Sequence, residues 1–229
     1  MKTLPMIPKR GARLNNTQMT CSICDSRKAK RHCPALGSQI CGPCCGQGRE
    51  ETIGCPLNCR YLEEGREFES RAGLAPENFP HKEIEITDRF LREQVKLLEW
   101  TAVIVLRVAL NTPGAVDRDV REALDALVRT YKSLQSGIHY ETRPESPAGQ
   151  AIAAQMKPML VQVPQPQAKV AGYTLTRDSD VIRVLVFLLR MALDHDNGRS
   201  RGRSFLHLLQ FHFPHREAPV SGSSLIVPG

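Results

Sequence analysis

All eight cysteines of this chain lie between Cys21 and Cys59, and none lies elsewhere in its 229 residues. The stretch reads CSICDSRKAKRHCPALGSQICGPCCGQGREETIGCPLNC. A segment of about 40 residues is too short to hold a fold by apolar burial alone, so it needs a covalent or metal staple. The spacing decides between the two. Cys21-x2-Cys24, Cys41-x2-Cys44 and Cys55-x3-Cys59 are chelating pairs. Cysteines so close in sequence are poor disulfide partners but readily share one ion. The N-terminus MKTLPMIPKRGARLNNTQ is charged and has no apolar h-region, so it does not read as a secretory signal, and a cytoplasmic setting is expected. Four thiolates complete one tetrahedral zinc, so eight predict two Zn2+ per chain.

Cys41 with Cys44 and Cys55 with Cys59 are the natural pairs; one expected set is then Cys21, Cys24, Cys41 and Cys44 and the other Cys33, Cys45, Cys55 and Cys59, although the spacing leaves open which four share an ion. Adjacent Cys44 and Cys45 point apart and so serve different ions, which makes the order interleaved, a cross-brace. His32 is the competing ligand for Cys33, although eight cysteines already fill two sites. Gly42-Pro43 suits a tight turn between Cys41 and Cys44, a second zinc knuckle after the one at Cys21. Iron–sulfur clusters also use cysteine sets, but the knuckle turns and the even count favour zinc. A closed tetrathiolate leaves no coordination position for water or substrate, and its sulfurs make zinc a poorer Lewis acid. The expected metal is therefore structural, and the expected protein is not an enzyme.

Three segments carry a resemblance: RHCPAL at Arg31–Leu36, ICGPCCG at Ile40–Gly46 and IGCPLNCRYL at Ile53–Leu62. Together they resemble a family of uncharacterised bacterial proteins with a CPAL…ICxxCCGxxR…CPxxCxYL zinc-binding module followed by a helical region. Arg49 sits at the family's arginine position, and SGIHYETRP at Ser136–Pro144 extends the likeness. The resemblance implies zinc binding and a helical remainder; it brings no established activity. The cysteine order is also loosely similar to HIT-type and B-box modules, which are interaction domains.

The rest of the chain reads as helix. Residues 1–20 form a basic arm, residues 21–72 the cysteine module with a short exit helix, and residues 73–82 a Pro-containing linker. Residues 83–215 form an all-α domain of about five helices, and 216–229 a flexible tail. Thr87 or Asp88 caps a helix running to about Leu110. Its Trp100–Leu106 run is apolar nearly all round, but Glu99 and Arg107 bound it far short of the ~20 residues of a membrane span. A buried central helix is expected instead. Asp117 is expected to cap the next helix, with Val120, Leu124, Leu127, Val128, Tyr131 and Leu134 on its inner face and Gly137 at its end. Ser146-Pro147 starts a third helix that fades at Pro158, and a linker covers Val161–Gly172. Asp178 or Ser179 caps an apolar helix that stops at Asn197-Gly198. A basic turn and a last helix, Phe205–Phe213, follow. His195, at a helix end, reads as a partner for the helix dipole. The fold class is thus a small two-zinc, cross-brace-like module followed by a mainly α-helical domain.

The formal net charge of +7 suggests an anionic partner, but the sum is local. Residues 1–81 carry twelve Lys+Arg and eight Asp+Glu, and two zinc ions on eight thiolates bring that region near neutrality. A basic excess stays in Met1–Arg31 and around Arg199–Arg203. Arg27, Lys28, Lys30, Arg31, Arg199, Arg201 and Arg203 are the candidate anion contacts. Two partner readings result: a protein partner for a zinc-stabilised adaptor module, or RNA or DNA held by the basic loops and the arm. Aromatic residues are only 5 % of the chain, too sparse for an evident base-stacking platform, so the protein reading leads. No membrane partner is expected.

Overall fold

The computed structural model describes residues 19–68, 75–161 and 177–213. Most of the expected arm, all of the Val161–Gly172 linker but Val161, and the 216–229 tail lie outside the described residues. The chain separates into two compact units, one ending at Arg49 and the other beginning at Glu50.

The first unit is built around its cysteines. Thr20 pairs with Lys28, and the Cys21 N–H donates to the Arg27 carbonyl at 2.9 Å, so the loop between them closes on itself. Asp25 completes that loop at φ 49°, the left-handed region that Asp tolerates better than most residues. Strands β1 (Arg31–Cys33) and β2 (Ser38–Ile40) form an antiparallel hairpin with Arg31 opposite Ile40. Gly37 turns it at φ 60°, as the Leu36-Gly37 pair predicts. Helix α1 (Gly42–Gly48) follows directly. The expected second knuckle is therefore the first turn of a helix. Cys41 is its N-cap and Pro43 lies in its first turn, where a missing N–H costs nothing.

The second unit carries the helices. Arg60–Arg66 form α2, the expected exit helix, with Leu62 buried. Next come α3 (Asp88–Glu93) and α4 (Val95–Asn111), broken at Gln94 where one helix was expected. Thr87 caps α3: its Oγ1 accepts the Phe90 N–H at 3.2 Å. Then follow α5 (Asp117–Gln135), α6 (Pro147–Val161), α7 (Asp178–Asp194) and α8 (Ser204–His212). Helix α5 packs on α6, α7 and α8, and α4 packs on the same three. The chain is largely helical, and no described helix is long and apolar enough to cross a membrane.

The core fits the helical period. Val120, Ala123, Leu124, Leu127, Val128 and Tyr131 are buried on α5, and Val181, Ile182, Leu185, Leu188 and Leu189 on α7. Each fully buried aliphatic chain contributes about 1.5–3 kcal/mol by removal from water. Two expectations are corrected. Pro158 does not end α6, because a proline in the last turn removes a single hydrogen bond. Asp117 does not cap its own helix. The Asp119 carboxylate accepts the Val116 N–H there, at 2.9 Å. Asp117 instead accepts the Phe205 and Leu206 N–H groups at 2.8 and 3.1 Å, capping α8 from the start of α5.

Candidate metal centre

Cys21 and Cys24 come from the closed loop, and Cys41 and Cys44 from the start of α1. Their four sulfurs all lie within 4.8 Å of one another. A tetrahedral zinc with Zn–S bonds of ~2.3 Å requires sulfurs about 3.8 Å apart, and Cys24 Sγ lies 4.0 Å from Cys41 Sγ. The tetrad is thus sized for one metal ion and far too wide for a disulfide. All eight cysteines are free thiols. Cys21, Cys41 and Cys44 are buried and Cys24 is partly exposed.

The backbone prepares these sulfurs for negative charge. Burial pushes the Cys21 thiol up, but the amides of Cys41, Cys24 and Ile23 outweigh it and leave the pKa below its ordinary value. The Ser26 hydroxyl, then the Ser26 and Arg27 amides, draw Cys24 down to about 6. Cys44 is pushed up to about 12, first by its side-chain hydrogen bond with Cys41 and then by burial. Four thiols so close cannot all ionise unless a cation joins them, and a divalent ion supplies that charge. The Cys44 N–H also points at Cys41 Sγ, 3.5 Å away. Arg27 adds a cation: its hydrogen bond to the Cys41 sulfur, with the charge of the neighbouring sulfurs, raises its pKa further.

The tetrad is the first of the two sets expected from the spacing. The other four cysteines divide between the units, with buried Cys33 on β1 and half-buried Cys45 on α1 in the first, and buried Cys55 and Cys59 in the second. Among the described residues, one tetrad is gathered. His32 is exposed, next to buried Cys33 on a strand whose successive side chains alternate faces, and so points away from it.

The basic residues divide by role. Arg27 is engaged with sulfur. Lys28 and Lys30 are exposed. Arg31 lies over the start of α1, its Cζ 3.9 Å from where a Cβ on Gly42 would sit. In the second unit, Arg201 is exposed while Arg199 and Arg203 are half-buried. The turn they belong to is organised by Glu50, which composition gave no reason to notice. Glu50 is fully buried. Its carboxylate accepts from Arg66 Nη2 at 3.1 Å, Asn197 Nδ2 at 2.8 Å and the Arg203 N–H at 3.0 Å. Its carbonyl accepts the Arg201 N–H at 2.8 Å. Burial holds the Arg203 guanidinium below its ordinary pKa. His195 donates from Nδ1 to the Met191 carbonyl, 3.0 Å away at the end of α7. It borders a cleft of about 480 Å³ with Arg66, His207 and Phe211. Burial pushes His207 down, and neighbouring Arg66 adds to the shift.

Compared with protein families, curated proteins and solved structures, this chain matches none of them.

Proposed function

We propose that the chain is a non-enzymatic zinc protein whose cysteine module is structural and whose role is to bind another protein, as an adaptor. The observation that carries the metal part is the tetrad of Cys21, Cys24, Cys41 and Cys44, four sulfurs within 4.8 Å of one another. Four thiolates suit zinc by softness and number, and they leave it no open position for catalysis. Metal binding would then contribute folding free energy to a unit with little apolar core of its own. A second zinc on Cys33, Cys45, Cys55 and Cys59 rests on the cysteine count and spacing. Membership of the resembling bacterial family, and a cytoplasmic location where thiols stay reduced, belong to the same reading. The nucleic-acid alternative is weakened because Arg27 is engaged with Cys41 and Arg203 is half-buried beside Glu50.

Elemental analysis of the purified chain tests this. Two zinc ions per chain are expected, falling by about one in Cys44→Ser and by about one in Cys33→Ser. One ion, unaffected by Cys33→Ser, refutes the second site, and iron or no metal refutes the proposal. Generic RNA and DNA should show no salt-sensitive binding; a steep loss of affinity with salt would return the nucleic-acid reading.

A further inference from the structure

Helix α4 was expected to be a buried central helix, apolar nearly all round over Trp100–Leu106, and one of its faces stays in solvent. Val95 is 44 % and Trp100 39 % exposed. Lys96, Glu99 and Arg107 are exposed, and Val103 and Leu110 are half-buried. At 3.6 residues per turn, positions 96, 99, 100, 103, 107 and 110 fall within about 60° of Val103. The face mixes apolar Val103, Leu110 and Trp100 with charged Lys96, Glu99 and Arg107, so what a partner would read on it is the placement of its charges.

Among the described residues, Glu99 and Arg107 on this face have no ion-pair partner. Elsewhere on the helices, Arg60 pairs with Glu64, Arg89 with Glu93, Arg118 with Glu122 and Arg129 with Asp125, each one turn apart. Glu99 and Arg107 are two turns apart, about 12 Å along the axis, and neither pairs with any described residue. Their positions are symmetric: each is four residues from Val103, on opposite sides.

We propose that this face docks on the same face of a second copy of the chain, antiparallel, with Val103 at the two-fold axis. Such a contact is self-complementary. Each residue then lies level with the one equally far beyond Val103. Glu99 meets Arg107 of the second copy, and Arg107 meets Glu99. Lys96 lies level with Leu110, and Val103 packs on itself. Trp100 falls on the same flank as Arg107 of the second copy, where a guanidinium can sit over the ring. A parallel arrangement would oppose Lys96 to Lys96 and Arg107 to Arg107, and like charges disfavour it. A nucleic acid or an anionic membrane would meet Glu99 inside the stripe, a repulsion that a second copy converts into two ion pairs.

Sedimentation equilibrium on the metal-loaded full chain, between about 1 and 100 µM, tests this. A dimer is expected. Glu99→Arg and Arg107→Glu should each raise its dissociation constant about tenfold or more, and the double reversal, which restores opposite charges at the same level, should return to within about threefold of the native value. All these positions are exposed, so unchanged thermal unfolding will show that the variants fold. Trp100 is the only tryptophan in the chain, so its emission should shift as the dimer is diluted. A monomer throughout, a dimer indifferent to the single reversals, or a double reversal as weak as the singles overturns the proposal. A monomer whose Trp100 emission is quenched by a single-stranded oligonucleotide overturns it in favour of a different partner.

Discussion

The most informative perturbation is Asp117→Asn. Asp117 is 2 % exposed, and its carboxyl caps α8 through the Phe205 and Leu206 N–H groups. Burial pushes its pKa up to about 7, against the two N–H groups, while Glu50 adds to the rise and Arg121 opposes it. The native chain therefore binds a proton near neutrality that the unfolded chain has already lost. A group raised in this way contributes stability that is fully present below its unfolded pKa and lost as pH rises through its folded pKa. A rise of about three units, at about 1.4 kcal/mol each, bounds the effect at about 4 kcal/mol. Between about pH 5.5 and 7.5 the expected loss is about 2 kcal/mol. Asparagine resembles the neutral carboxyl in shape and cannot titrate, so the variant lacks this loss. Urea unfolding followed by far-UV circular dichroism, on both proteins at several pH values, reads it. Any metal held by the cysteines would bring a pH dependence of its own, but both proteins would share it, and the difference in stability between them cancels it. That difference should shift by about 2 kcal/mol against the native chain as pH rises from about 5.5 to 7.5. A difference that stays constant across this range refutes the titration of Asp117 near neutrality.

Glu50→Gln should destabilise the second unit by about 3 kcal/mol, since it leaves the Arg66 and Arg203 charges half-buried beside a neutral amide. A loss below about 0.5 kcal/mol by the same urea assay would show that the carboxylate barely offsets its own desolvation. Gly149→Ala should cost about 1–3 kcal/mol. Its Cβ would sit 2.8 Å from Ser146 Oγ, 3.0 Å from Pro144 Cβ and 3.1 Å from the Asp119 carbonyl, where α6 meets α5. A thermal midpoint within about 1 °C of the native chain would mean that the Pro144–Ser146 turn moves aside freely.

The helices were legible where local chemistry decides them. Thr87 and Ser146-Pro147 start helices as expected, with Ser146 Oγ accepting the Gly149 N–H at 3.0 Å. Gly137, at φ 74°, ends α5. The period of α5 placed its buried face. Reading failed where a residue serves an element distant in sequence. Asp117 has the position and chemistry of a local cap, yet its acceptors serve α8, eighty-eight residues away. Glu50 carries no signal in the sequence, yet it gathers Arg66, Asn197 and Arg203. The basic run at Arg27 looked like a free phosphate contact, yet Arg27 turns to the Cys41 sulfur. One miss was local: Cys41-x2-Cys44 looked like a second knuckle, yet Cys41 caps the helix that begins at the next residue.

By itself the sequence determined that a cysteine-organised unit precedes a helical one. Ligand spacing, helical period and caps act over a few residues, and those residues are adjacent in the chain. The tertiary structure brought together four sulfurs that the spacing had grouped, and it decided where the buried carboxylates find their donors and which face of α4 remains in water. Each of these depends on contacts between segments far apart in sequence, and burial sets the strength of a charge or a hydrogen bond only once such segments have packed.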